Sequence, residues 1–195
     1  MRLLAALGVL VLVAVLGAAA YAWLGFYNIA ASDPHADAVA WSLDTTMVRS
    51  VERRAETEVG AVPALAEPER IRTGAEHYLG EGCVTCHGAP GFERAGYAER
   101  MRPRPPMLAG EAGEWTDRQL FWIIEHGIKM SGMPRFGATH GDGEIWSLVA
   151  FVRRLPDLSA TEIEDLVPAS DGHHADEAVE AGPEEGAPAD TGEEP

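Results

Sequence analysis

The chain has only two cysteines, three positions apart in Cys83-Val84-Thr85-Cys86, with His87 directly after them. Such side chains can bind a metal, cycle as a dithiol or form a bond to a cofactor. A disulfide across so short a loop restrains little chain and makes a poor staple. A dithiol redox motif uses the same spacing but usually sits within a βαβ pattern, which is absent here. A zinc site wants four ligands, and no second cysteine pair or paired downstream histidines at finger spacing supply them.

Cys-x-x-Cys-His is the attachment signature of c-type haem. Two thiols about one helical turn apart can each add to a vinyl group of one porphyrin, and the next residue then reaches the iron axially. Cys83 and Cys86 are thus expected to hold one covalent haem c, with His87 as an iron ligand. The iron then needs a sixth ligand or keeps an open position. Downstream candidates are Met101, Met107, Met130, Met133, His126, His140, His173 and His174. Met133 is favoured by its neighbours. Gly132 has no side chain to strike the porphyrin face, and Pro134 pushes Met133 toward an extended backbone. Met130 lacks both features and is expected to pack. His126 and His140 read as surface residues near helix ends, and His35 as a solvated one. His173 and His174 offer at most weak metal binding.

The elements that must position these residues read as helical. Ser32-Asp33-Pro34 looks like a helix start, followed by Val39, Leu43, Met47 and Val51 at spacings of four, up to about Glu58. A second helix should run from Pro68 to Leu79, ended by Gly80-Glu81-Gly82 just before the cysteines. Thr116-Asp117-Arg118-Gln119 has capping-box spacing and opens a helix with Leu120, Phe121, Ile124 and Ile123 toward the core, stopped by Gly127. A further helix covers Asp142 to Leu155, with Ile145, Trp146, Leu148, Val149 and Val152 at helical spacing before Pro156. No segment alternates with period two. The fold class expected is all-α: a small helical domain wrapped around one covalent haem, with an N-terminal transmembrane helix and a disordered acidic tail. The divisions are 1–32 (membrane anchor), 33–66 (juxtamembrane amphipathic helix and linker), 67–158 (haem domain) and 159–195 (tail).

Charge is segregated along the chain. Residues 3–32 carry none, whereas Thr161 to Pro195 hold twelve acids and no Lys or Arg, which is most of the net charge of −16. That balance excludes nucleic acid as a partner, since phosphate binding needs clustered cations. The tail composition cannot build a core. The apolar run from Leu3 exceeds the roughly 7–15 residues of a signal peptide and meets the roughly 20 of a bilayer span. Tyr21, Trp23, Phe26 and Tyr27 gather where an interfacial aromatic belt would lie. An uncleaved anchor is the expectation. The alternative is a signal peptide cut at Ala20-Tyr21-Ala22, and either reading exports the rest of the chain.

Cys83-x-x-Cys86-His87-Gly88, a later Gly132-Met133-Pro134 and a C-terminal aromatic helix together resemble the class I c-type cytochromes, in their membrane-anchored bacterial form. The resemblance runs from about Glu67 to Leu158. It implies His87 and Met133 as axial ligands. It also implies a crossing of first and last helices through Gly74 and Tyr78 against Trp146, Ala150 and Phe151. Pro103-Arg104-Pro105-Pro106 looks like the loop that covers the haem edge in membrane-bound relatives. Pro90 is the candidate for the carbonyl that orients the proximal histidine, and Arg102, Arg104 and Trp115 are candidates for the propionates. Saturated His/Met iron suits outer-sphere electron transfer, with no substrate position and no catalytic residue. The expected protein is an electron carrier, or an electron-transfer subunit of a membrane oxidoreductase. It would sit in the bacterial inner membrane with its haem domain in the periplasm, meeting redox partner proteins in or near the membrane and no small-molecule substrate. The rival is a haem enzyme or gas sensor with a displaceable sixth ligand.

Overall fold

The computed structural model describes residues 2–167, and among them every regular element is helical. Helix α1 (Arg2–Trp23) buries none of its residues against the other described residues. Helix α2 (Asp37–Glu58) begins later than Ser32-Asp33-Pro34 led us to expect. The Asp33 carboxylate accepts from the Asn28 side-chain amide instead of capping a helix, and Ala36 takes the N-cap position with no side-chain bond. His35 is stacked on Tyr27 and hydrogen-bonded to its hydroxyl at 2.8 Å, so it is exposed but partnered. Only the C-terminal half of α2 packs. Val51, Ala55 and the following Val59 are buried, while Leu43, expected on the packed face, is exposed along with Trp41.

The domain is organised by a crossing pair. Helix α3 (Pro68–Gly80) starts with Glu67 at the N-cap and Pro68 in the first turn, where its missing N–H costs nothing. Helix α7 (Asp142–Arg154) is buried continuously from Ile145 to Val152. The two helices touch where Gly74 meets the backbone of Ser147. A Cβ on Gly74 would lie 1.9 Å from the Ser147 carbonyl oxygen and 2.8 Å from Phe151 Cβ. No other residue type fits that distance. One turn along, the Tyr78 and Phe151 rings meet at a tilt of 56° with centroids 5.2 Å apart, and both side chains are fully buried. Burial of each such side chain is worth about 1.5–3 kcal/mol.

Helix α6 (Asp117–His126) closes the core from another side, with the Thr116–Gln119 capping box formed as expected and Gly127 ending it at φ 65°. Phe121 lies on Trp146 with ring centroids 4.4 Å apart. The junction before α6 is held by Arg153, whose guanidinium binds the Asp117 carboxylate at 2.6 Å and the Ala112 and Trp115 carbonyls. Trp122 donates to Glu58 at 2.8 Å, tying α6 to the end of α2.

The folded region extends past Leu158. Ser159 and Glu162 form a capping box that opens a short helix, α8 (Ala160–Leu166), and Ile163 is completely buried. This part of the stretch read as tail therefore belongs to the domain. The acids there occupy the outer face and conceal a small apolar one. The rest of the acidic tail, with His173 and His174, lies outside the described residues.

Candidate haem site

The cysteine motif forms a single helical turn, α4 (Cys83–His87), set between two glycines in left-handed conformation, Gly82 at φ 84° and Gly88 at φ 64°. These let the chain reverse tightly after α3 and leave again after His87. The turn is fastened to the crossing pair by Tyr78, whose buried hydroxyl donates to the Gly88 carbonyl at 2.7 Å. Ala95 N–H donates back to the Thr85 carbonyl at 2.8 Å, so the following loop folds against the motif.

Cys83 and Cys86 are unpaired thiols, half-buried on one turn. Burial, helped by the nearby Glu81 charge, pushes the Cys83 thiol up to about 11. A dithiol redox catalyst needs a depressed pKa, because the thiolate is its nucleophile. That chemistry is therefore disfavoured, whereas thiols waiting to be consumed in covalent attachment need no such activation.

The His87 ring is oriented by the proline loop. Its Nδ1 lies 2.9 Å from the carbonyl oxygen of Pro106. A carbonyl only accepts, so Nδ1 carries the proton and the Nε2 lone pair is free. Burial holds the imidazole below its usual range, and the Pro106 bond only partly offsets this. A neutral ring with its second nitrogen fixed by a carbonyl is how a ligating histidine is normally held. The orienting residue is Pro106, not Pro90, which sits in the tight turn where Ala89 and Phe92 pair. The loop carrying Pro106 is itself clamped. Arg94 donates to the Pro105 carbonyl at 2.8 Å and pairs with Glu99, its side chain only 6% exposed. Helix α5 (Leu108–Glu111) follows, and the Met107 methyl lies against Gly88.

Met133 is half-buried against the core, with its backbone held by Ser131 Oγ at 3.1 Å and by Ile128 N at 3.3 Å. Its loop crosses directly over Gly127, where a Cβ would come within 2.7 Å of the Met133 and Pro134 carbonyl oxygens. Met130, expected to pack, is 81% exposed at φ 60°, on the outside of the same loop. Gly132 does accommodate a close neighbour, namely the Met101 methyl, which a Cβ would meet at 1.9 Å. Arg102 is turned to the Glu99 and Met101 carbonyls and Arg104 to the Glu99 carboxylate, while Trp115 packs at the core edge. His126 stacks on Trp122 at the end of α6. His140 is no surface residue: its side chain is 10% exposed and faces Glu81.

Arg94, Pro106, Tyr78 hydroxyl and Arg153 are the positioning groups that sequence reasoning missed. Arg94, Tyr78 and Arg153 each donate to a backbone carbonyl distant in sequence, and Pro106 offers its own carbonyl to the distant His87 ring, which leaves no local spacing to read. Taken together, the residues present fit a covalent haem: two thiols on one turn, a neutral imidazole with a free Nε2, and a thioether loop braced on α6.

Comparison with known families agrees. Residues 69–152 match the family model described as cytochrome C oxidase, cbb3-type, subunit III. Neither the search of curated proteins nor the search of solved structures returned a match. The matched stretch opens at the start of α3 and ends within α7, enclosing the helix crossing, the cysteine turn, the proline loop and the Met133 loop. Over residues 69–152 the chain thus matches a class I c-type cytochrome domain, a family whose members carry covalent haem c.

Proposed function

We propose that the chain is an electron-transfer protein of an oxidase-type membrane chain. One haem c is bonded to Cys83 and Cys86, with His87 and Met133 on the two axial positions of the iron. When bound, the haem supplies a one-electron ferric/ferrous couple. The observation that carries this reading is the Nδ1 bond of His87 to Pro106, which reserves Nε2 for a metal. Met133 supplies a soft thioether that favours ferrous iron and raises the potential relative to bis-nitrogen ligation. With both axial positions filled by this chain's own side chains, no site remains for substrate, and none of its residues is required as an acid or base.

Helix α1 supports a membrane placement. Its 22 residues extend about 33 Å at 1.5 Å per residue, against a hydrocarbon core of about 30 Å. We read it as an uncleaved anchor in the bacterial inner membrane, with α2 leading to a haem domain on the periplasmic side. The partners are then redox proteins in or near the membrane.

The deciding experiment combines haem retention with ligand access. Haem should survive acid–acetone extraction in the wild type and be lost in Cys83→Ala plus Cys86→Ala. The reduced spectrum should be unchanged by carbon monoxide. Freely extracted haem would end the covalent assignment, and a spectrum that shifts with carbon monoxide would favour the gas-sensing or enzymatic alternative.

A further inference from the structure

Apart from the cysteine turn, three side chains that commonly ligate transition metals meet where α3 ends and α7 begins. His77 lies in the last turn of α3, and Glu81 caps that helix four residues later, so one helical face presents both. His140 comes from the loop just before α7. His77 Nδ1 is 2.6 Å from one carboxylate oxygen of Glu81, and His140 Nε2 is 2.5 Å from the other. One donor atom from each of the three lies within 4.8 Å of the others. The His77 and His140 rings meet edge to face, with centroids 5.4 Å apart.

The surroundings hold these donors in place. His140 is nearly enclosed, and its Nδ1 faces the Thr139 hydroxyl at 2.8 Å and the Phe136 carbonyl at 3.3 Å. Its Nε2 is thereby directed at the cluster, the arrangement in which one ring nitrogen is fixed by a backbone carbonyl and the other ligates. Glu144, in the first turn of α7, places a carboxylate oxygen 3.9 Å from the outer ring nitrogen of His77, Nε2. Its other oxygen accepts from Gly141 N–H, which fixes its direction.

We infer that His77, Glu81 and His140 form a second metal site, separate from the haem, for a divalent ion of the zinc, copper or nickel class. Two imidazoles and one carboxylate suit such borderline ions and are poor hosts for magnesium or calcium, which take oxygen donors. Three protein ligands leave a fourth position for water. The bound ion would join the end of α3 to the start of α7. These are the two helices that cross at Gly74, so occupancy should raise the unfolding temperature.

The test uses the full-length, detergent-solubilised holoprotein, stripped by chelator and titrated with Zn²⁺ alone. One tightly bound equivalent and a rise in unfolding temperature are expected, undiminished by excess Mg²⁺. Glu81→Gln and His140→Gln should each weaken that binding about tenfold or more and cancel the thermal rise. His77→Gln, at a more open position, provides the same loss if either of those variants fails to fold, with an unchanged haem spectrum as the folding control. His173→Ala with His174→Ala should leave the tight equivalent intact. Tight binding that persists in His140→Gln and His77→Gln, or vanishes with the two tail histidines, overturns the site. So does a wild-type protein that binds no zinc.

Discussion

The Nδ1 of His87 and the carbonyl oxygen of Pro106 lie 2.9 Å apart across 19 residues of chain, and that bond ties the haem motif to the proline loop. The loop is held from its other side by Arg94, through the Pro105 carbonyl and the Glu99 carboxylate. Removal of this nearly enclosed guanidinium leaves the Pro105 carbonyl without its partner, while the half-exposed Glu99 keeps Arg104. Arg94→Ala should therefore lower stability by about 1–3 kcal/mol, the range for orphaning a buried hydrogen-bonding group. Thermal unfolding of the holoprotein measures this. An unchanged unfolding temperature would mean that the loop keeps its position without Arg94.

A second expectation concerns the sixth ligand. Met133 and Met130 occupy one loop, but only Met133 faces the core. Oxidised wild-type protein should show the weak near-infrared sulfur-to-iron band of a thioether ligand. Met133→Ala should abolish the band and lower the midpoint potential, because the thioether stabilises ferrous iron. Met130→Ala should preserve both. The opposite pattern would transfer the ligand role to Met130.

The Gly74 crossing predicts a steep cost for one methyl group. Its Cβ would collide with the backbone of Ser147, which cannot swing aside as a flexible side chain would, and α7 is buried all along this stretch. Overpacking of this kind costs about 1–3 kcal/mol, and backbone-on-backbone contact belongs at the upper end. Gly74→Ala should lower the unfolding temperature well below that of Gly80→Ala, whose Cβ meets nothing within 4 Å. Equal effects of the two substitutions would dissolve the close crossing.

What the sequence discloses here is whatever chemistry or geometry writes at short range. The cysteine turn is legible because two thioether bonds demand a fixed spacing. Helices α3, α6 and α7 are legible because Pro68, the Thr116–Gln119 box and the apolar face of α7 are local patterns. The Pro106 and Arg94 bonds are not, since a side chain reaching a distant carbonyl imposes no period on the residues between. The start of α2 was misplaced because Ser32-Asp33 is a good cap in isolation, while Asn28 competes for the Asp33 carboxylate. Helix α8 was hidden by composition: an acidic stretch reads as solvated until Ile163 is seen fully buried beneath it.

Acid should loosen the contact between α2 and α6. The hydrogen bond from Trp122, opposed by slight desolvation and aided by Arg54, holds the Glu58 carboxyl below its ordinary range. A carboxyl with a depressed folded pKa contributes stability above its unfolded value of about 4.3, and that contribution fades as pH falls through the folded value. Because Glu58 is exposed, the effect is small. Glu58→Gln should unfold at a slightly lower temperature than wild type near neutrality, and the two should converge below pH ~4. A gap that stays constant across that range would exclude the carboxylate as its source.

The last expectation is that residues 2–23 stay in the membrane of the mature protein. An 18-residue window of helix α1 has mean hydropathy 2.8, and none of the helix's side chains is buried against the other described residues. A soluble carrier would leave that apolar surface in water. Tyr21 and Phe26 stack at 5.8 Å at the far end of the span, and Tyr27 joins His35 just beyond, a group suited to the lipid–water boundary. The exposed first half of α2, with Trp41 at 70% exposure, then begins at the membrane surface. Fractionation with mass measurement decides between anchor and leader. Material released by detergent but not by high salt, with the N-terminal sequence intact, is the expected result. A soluble product beginning near Trp23 would show that the segment had been cleaved after Ala20-Tyr21-Ala22. The haem domain would then diffuse freely, and partners confined to the membrane would meet it only by collision.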